Sequence, residues 1–337
     1  MNKTIFVLGM HRSGTSATAG VLAFAGLDPG KTLVSAARDN PKGFYENRRI
    51  VDIQQKLLQD LNSEYFDIKT FRPNWLSGKR AEATKKALKA VIEQEFKGDT
   101  IGLIKDPRTS RLFPLWMDGT IPIGKPAVVL ALRHPVEAAR SLVTRDGVSL
   151  SHALALWLRY TLDAELYSRS VPRVVLHYPD LLTDWQRELR KITTALELDI
   201  SPLSAETNEQ IRGFIDSDLK HHHFIPTVDT SGDAPELLMT WCHEAYESLL
   251  NIEQPQSMAR LDEIRRDFDL SFERAHYLKD QDNYILRKKR VSEEMISRRD
   301  EELKRVYNSL SWRITYWLRV TKKLISTRSF ESKSTVK

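Results

Sequence analysis

Cysteine is nearly absent: Cys242 is the only one in 337 residues. One thiol closes no disulfide within the chain, which excludes a disulfide-stapled scaffold and suits a reducing cytoplasm. No apolar run approaches the roughly 18 residues of a membrane-spanning helix. The first apolar segment starts at Thr4 with no leader layout before it, so no signal peptide is expected. Glycine and proline number 14 each, and neither occurs from Met258 to Tyr307. That long, charged stretch reads as an extended helix or coiled-coil arm with weak heptads.

An excess of either charge is also lacking over most of the chain. The net charge is +6, but Lys279 to Lys337 carries 16 Lys and Arg against 8 Asp and Glu, so the remainder is near −2. A near-neutral body argues against nucleic-acid binding, and the basic tail is expected to meet something acidic. Within it, Ser309 to Ile325 alternates Trp312, Ile314, Tyr316, Trp317 and Leu318 with Arg313, Arg319, Lys322 and Lys323. That is the composition of an interfacial helix on an anionic membrane surface; docking on the chain's own domain or on a partner is the alternative.

The chain is organised around Thr4 to Gly26. Ile5 to Leu8 reads as a buried parallel strand, and Ala17 to Ala25 as a helix. Between them lies Gly9-Met10-His11-Arg12-Ser13-Gly14-Thr15-Ser16. Such a turn aims backbone N–H groups and a helix N-terminus at one point, the arrangement of a phosphate cradle. The spacing is that of a Walker A loop, but no Lys follows Gly14; the cation is Arg12, inside the loop. An ordinary βα turn and a degenerate NTPase loop are the competing readings.

Further along, Asn40 to Asn47 is a loop, and Asn47 is expected to cap a helix carrying Ile50, Ile53, Leu57, Leu58 and Leu61. Glu46 therefore sits just before a helix, where a carboxylate can act as a general base or simply face solvent. Residues 63–79, with Phe71, Pro73 and Trp75, read as a loop able to line an acceptor site. Arg80 to Phe96 reads as an amphipathic helix. A second strand, Ile101 to Ile104, ends in Lys105-Asp106-Pro107-Arg108, where open α/β sheets place chemistry; a surface turn begun by Asp-Pro is the alternative. A third strand, Ala127 to Leu132, ends in Arg133-His134-Pro135, and Ser141 lies eight residues beyond Arg133 in the following helix. Arg supplies a planar clamp and Ser a hydroxyl donor. Ser149 to Arg169 reads as a helix and Arg173 to Tyr178 as a further strand. His221-His222-His223 lack a second ligand cluster nearby, so no metal site is expected.

These blocks resemble, over residues 4–200, the sulfotransferases that use 3′-phosphoadenosine 5′-phosphosulfate (PAPS). Arg12-Ser13-Gly14-Thr15-Ser16 is similar to their 5′-phosphosulfate loop. Glu46-Asn47-Arg48-Arg49-Ile50 is similar to the segment holding the general base in tyrosylprotein sulfotransferases. Lys105-Asp106-Pro107 is similar to the block whose lysine reaches the sulfuryl group. Arg133 with Ser141 is similar to the 3′-phosphate grip, with Arg140 as substitute in a shifted register. Tyr178-Pro179-Asp180-Leu181-Leu182 resembles a further block, with Pro179 where Glu is common. The resemblance implies an α/β fold with a P-loop-like parallel sheet of about four or five strands flanked by helices, followed by a helical or coiled-coil arm.

It implies transfer of a sulfuryl group from PAPS to a hydroxyl, leaving adenosine 3′,5′-bisphosphate (PAP), with no metal. The catalytic candidates are Glu46, Lys105, Arg12 and Asp106, the last a second candidate base. The cofactor-binding candidates are His11, Arg12, Ser13, Gly14, Thr15, Ser16, Arg133, Ser141 and, from a late basic loop, Lys220. The tail around Ser311-Trp312-Arg313 resembles those of bacterial polysaccharide glycosyltransferases and their partners. A glycan or glycolipid acceptor in surface polysaccharide assembly is therefore expected, at the inner membrane face. A homo-oligomer or a glycosyltransferase partner would meet the arm. The expected divisions are an α/β domain over 1–252, an arm over 253–307, a basic amphipathic helix over 308–326 and a disordered tail over 327–337. A P-loop kinase or NTPase, or a non-catalytic assembly factor, are the rival classes.

Overall fold

The structure, a computed structural model, describes residues 2–37, 40, 42–96, 98, 100–216, 234–271 and 299. Lys220, the three histidines after it and residues 300–337 lie outside them. So does nearly all of the expected arm beyond residue 271. The chain divides into two compact units, Met1–Asp269 and Leu270–Lys337, and the sheet with its covering helices belongs to the first.

Four strands form one parallel sheet in the order β2-β1-β3-β4. They are β1 (Lys3–Leu8), β2 (Ile101–Lys105), β3 (Lys125–Leu132) and β4 (Arg173–His177). β1 is central, with Phe6 opposite Ile104 on one side and Val128 on the other. The strands are continuous apolar runs because both sheet faces are covered. Phe6, Leu8, Ile104, Val128 and Leu130 point into one core cluster. Ile5, Val7, Leu103, Val129 and Ala131 point into the other.

Over the first face lie α2 (Arg48–Asp60), α3 (Lys79–Glu95), α4 (Thr109–Trp116), α5 (Pro135–Asp146), α6 (Leu150–Tyr167) and later α10 (Glu236–Leu250). Over the second lie α1 (Thr15–Phe24), α7 (Tyr178–Thr183), α8 (Trp185–Ala195) and α9 (Ala205–Asp216). Trp75–Ser77 forms one 3-10 turn in the expected loop over 63–79. The short helix α4 is not anticipated by the sequence pattern. Its Phe113 and Trp116 pack edge-on against Phe6, at 5.2 and 5.4 Å between ring centroids.

A helix over residues 255–271 buries Leu261, Ile264 and Phe268 in the first cluster. Arg265 donates to the carbonyl of Leu162 at 2.7 Å. The stretch expected to begin an arm at residue 253 thus starts packed on α6. Glu165 is fully buried there and receives Arg169, Arg173 and Arg265 at 2.8, 3.1 and 3.1 Å. Among the described residues, no helix is long and apolar enough to cross a membrane.

Candidate active site

The C-terminal ends of β1, β2 and β3 open on one side of the sheet, as parallel α/β topology requires, and the loops there carry the polar residues. A cleft of about 410 Å³ lies among them. It is lined by the phosphate-loop residues His11, Arg12, Thr15 and Ser16, by Asn40, Phe44 and Glu46, and by Tyr65, Lys105, Pro107, Arg108, Arg145 and Asp146.

The loop is held in a shape that few residues adopt. Gly14 caps α1 with φ +86°, and a Cβ there would lie 2.2 Å from the Tyr178 ring. Gly9 approaches the backbone of β3, where a Cβ would meet the Ala131 carbonyl at 2.7 Å. Arg12 itself has φ +68°, a left-handed conformation that costs a non-glycine residue on the order of 1 kcal/mol and persists where surroundings fix it. The fixing contacts are visible. Arg12 Nε donates to Ser141 Oγ at 2.8 Å, and Arg133 Nη1 donates to the Arg12 carbonyl at 3.2 Å. Arg133 is held by Glu137 at 3.0 Å and lies over the Tyr178 ring at 5.1 Å. Arg12, Arg133 and Ser141, far apart in sequence, therefore meet; neither Arg133 nor Ser141 is among the residues lining the cleft.

Lys105 ends β2 and is 3% exposed. Its Nζ lies 2.6 Å from Glu46 Oε1 and 3.0 Å from Ser16 Oγ. Ser16 Oγ also accepts from Asn40 Nδ2 at 3.2 Å. Burial pushes the Glu46 carboxyl above its ordinary pKa, against the opposing pull of Lys105 and with the aid of Asp106. Glu46 is placed by its neighbour. Asn47 Oδ1 accepts from the N–H groups of Arg49 and Ile50 at 3.1 and 3.3 Å, which caps α2 as expected. Asn47 Nδ2 donates to Glu95 Oε2 at 3.0 Å.

Asp106 is differently placed. It is 1% exposed, and both carboxylate oxygens are engaged. Oδ2 accepts from Gln54 Nε2 at 2.7 Å, and Oδ1 from the backbone N–H and Nη1 of Arg108 at 3.1 and 2.9 Å. Gln54 in turn accepts from Thr109 and from the Trp116 indole at 3.0 and 3.2 Å. This network fixes the turn after Lys105, and Asp106 does not line the cleft. Ser13 is buried, and its Oγ finds no hydrogen-bond partner among the described residues. His134 packs edge-on against Tyr246 with centroids 5.3 Å apart.

Arg108, Tyr65, Arg145 and Asp146 also line the cleft, and the sequence alone assigned none of them a role. Arg108 directly follows the Lys105-Asp106-Pro107 block, so its place was legible there. Tyr65 belongs to the loop read as an acceptor wall, but no local pattern separates it from its neighbours.

No protein-family model matches this chain, and a comparison with curated proteins finds no match. Among solved structures it is similar to the sulfotransferase domain from the Synechococcus PCC 7002 olefin synthase. Identity is 16%, covering 73% of this chain and 94% of that one, with a TM-score of 0.41. It is also similar to the sulfotransferase domain from the curacin biosynthetic pathway (14% identity, 60% and 76% of the two chains, TM-score 0.36). A third is sulfotransferase STF9 from Mycobacterium avium (17% identity, 66% and 69%, TM-score 0.38).

Proposed function

We propose that this chain transfers a sulfuryl group from PAPS to a hydroxyl of a glycan or glycolipid acceptor. One observation carries the reading: Lys105 Nζ touches both Glu46 and Ser16, so a base, a cation and the phosphate loop share one cleft. The loop suits an anionic donor because Gly14 leaves no side chain at the turn and the buried Ser13 hydroxyl lacks a partner among the described residues.

PAPS would bring an activated sulfuryl group, with Arg12, Ser13, Gly14, Thr15 and Ser16 around its 5′ end and Arg133 with Ser141 near its 3′-phosphate. Glu46, made more basic by burial, takes the proton of the acceptor hydroxyl. Lys105 and Arg12 hold negative charge where it develops, with Lys105 itself buried at the base of the cleft. Lys105 opposes the rise in the Glu46 pKa and favours the ionised carboxylate, without outweighing burial. The single charge of a sulfuryl group does not require the metal clamp of phosphoryl transfer.

The acceptor class and the cellular setting rest on sequence. The basic, aromatic segment over residues 308–326 would bring the enzyme to an anionic inner-membrane face, where a lipid-linked glycan is available. The arm before it would pair with a second copy or with a glycosyltransferase. Deleting residues 308–337 is expected to lower cosedimentation with anionic vesicles while leaving nucleotide binding intact. Full sedimentation of the truncated protein would rule out that anchor.

The deciding experiment is calorimetric titration with PAP, with ATP and Mg²⁺ as competitor. Tight PAP binding, lost in Arg133→Ala and undisturbed by ATP, is expected. Preference for ATP, or turnover of ATP with Mg²⁺, would return the loop to the kinase and NTPase class.

A further inference from the structure

His11 was expected among the cofactor-binding residues of the loop, yet its surroundings point elsewhere. Its ring lies against Tyr65 and Tyr160, with centroids 5.2 and 5.9 Å apart. It lines the cleft, and its Nε2 is buried with no hydrogen-bond partner among the described residues. A buried polar nitrogen without a partner is costly, and a polar ligand that entered the cleft beside the His11 ring and reached Nε2 would relieve that cost.

We propose that His11, Tyr65 and the Arg145–Asp146 pair form an acceptor subsite, and that it takes an uncharged, hydroxyl-bearing sugar ring rather than an anionic group. Calling it the acceptor's rests on the sulfuryl-transfer reading; the binding of an uncharged ring does not.

Charge matching decides between the two classes of ligand. Four cations line the cleft; Arg12 belongs to the loop assigned to the donor, and the other three each already have a carboxylate. Lys105 is 2.6 Å from Glu46, Arg108 is 2.9 Å from Asp106, and Arg145 is 2.6 Å from Asp146. An anionic acceptor would find these cations already neutralised, and would face the Glu46 and Asp146 carboxylates. A sugar hydroxyl both donates and accepts. Burial, with Arg145, Arg108, Lys105 and Arg12 nearby, holds His11 well below the ordinary imidazole pKa. It is therefore neutral at pH 7, with one nitrogen to donate and one to accept.

Asp146 adds a carboxylate held in place by Arg145 Nε and Nη2 at 2.6 and 2.7 Å and by the Tyr65 hydroxyl at 3.3 Å. Paired planar groups of this kind can address neighbouring hydroxyls. Phe44 and Tyr65 supply apolar surface for the faces of the ring.

The test is nitrogen NMR of the full-length protein labelled at histidine, with the His11 signal identified by its loss in His11→Gln. Methyl glucoside, methyl galactoside and methyl mannoside are titrated against methyl glucuronide and, separately, PAP. The neutral glycosides are expected to shift the His11 signal more than the glucuronide does. His11→Leu is expected to raise the KM for a neutral acceptor about tenfold, the loss of one buried hydrogen bond. The same variant should leave PAP affinity unchanged, and His11→Gln should recover part of the loss. A His11 signal moved by PAP but by no glycoside would put His11 on the donor side and overturn the proposal. A stronger response to glucuronide would overturn the choice of an uncharged ring. PAP binding with no glycoside response sinks the subsite and leaves sulfuryl transfer standing. Glycoside response without PAP binding does the reverse.

Discussion

Lys105 Nζ and Glu46 Oε1 lie 2.6 Å apart across 59 residues of sequence, with their side chains 2% and 11% exposed. Two charges so buried are costly to desolvate, and such a pair adds little stability compared with apolar residues of the same size. Its place beside the Gly-bracketed loop fits the proposed chemistry better than a stabilising role. Lys105 holds the carboxylate next to Ser16 of that loop, where the proposed reaction needs a base.

Substituting Glu46 by Gln keeps the shape and removes the proposed base. Turnover is expected to fall about 10²–10⁴-fold, the usual worth of a positioned general base, while PAP affinity stays nearly constant. Asp106→Asn is expected to act on folding instead, because it disturbs the Gln54 and Arg108 contacts. The expected loss is about 1–3 kcal/mol, that of a buried acceptor whose donors are left without their charge. Turnover by Glu46→Gln equal to wild type, with a dead but stable Asp106→Asn, would exchange the two roles.

The proposed role of Glu46 implies a pH dependence. As a base it must be ionised to accept a proton, and burial raises its pKa. The rate at saturating acceptor should therefore rise with pH along a limb displaced upward from the ordinary carboxylate range, and then level. The limb should vanish in Glu46→Gln. A profile flat from pH 5 upward would mean that Lys105 outweighs burial and holds Glu46 ionised throughout.

The four strands, the Gly-bracketed loop and the Asn47 cap could be read from the sequence because each is a local pattern. Val129 and Val7 needed no knowledge of their partners to be recognised as buried strand residues. Glu46 and Lys105 were legible as candidates because they end a loop and a strand where parallel sheets place chemistry. Tyr65, Arg145 and Asp146 were not. They reach the cleft from the middle of an irregular loop and the last turn of α5, and only packing of those elements brings them together. The role of Asp106 was hidden for the same reason: its partner Gln54 lies 52 residues away inside α2.

Gly14 offers a test of the loop with a built-in control. A methyl group at Gly14 meets both a positive φ and the Tyr178 ring, whereas Gly26, at φ +102°, has nothing within 4 Å of its Cβ position. Gly26→Ala should cost only the backbone penalty, about 1 kcal/mol. Gly14→Ala should cost more in thermal stability and should abolish PAP binding even where the fold survives. Equal effects at the two sites would show that the Tyr178 contact yields easily and that the loop is not tightly shaped.

Glu95 holds Asn47, the neighbour of the proposed base Glu46, and its protonation gives a second, separable signature. Its carboxylate accepts from Asn47 at 3.0 Å, from the backbone N–H groups of Lys31 and Thr32 at 3.1 and 2.8 Å, and from Arg49 at 3.3 Å. These bonds to the charged form overcome burial and lower its pKa to about 2 from an ordinary 4.5. A depressed carboxyl pKa contributes stability above the unfolded value, and that contribution is lost as pH falls through the folded one. Glu95→Gln should therefore lower stability by about 3 kcal/mol at neutral pH. The gap to wild type should close between about pH 4.5 and 2, the span of the two pKa values. Because Asn47 adjoins Glu46, the same variant should lower kcat while leaving PAP affinity unchanged. Unfolding curves across that window check the first expectation and steady-state kinetics the second. A stability gap that persists unchanged at pH 2 would mean that the Glu95 contacts act through packing and not through charge.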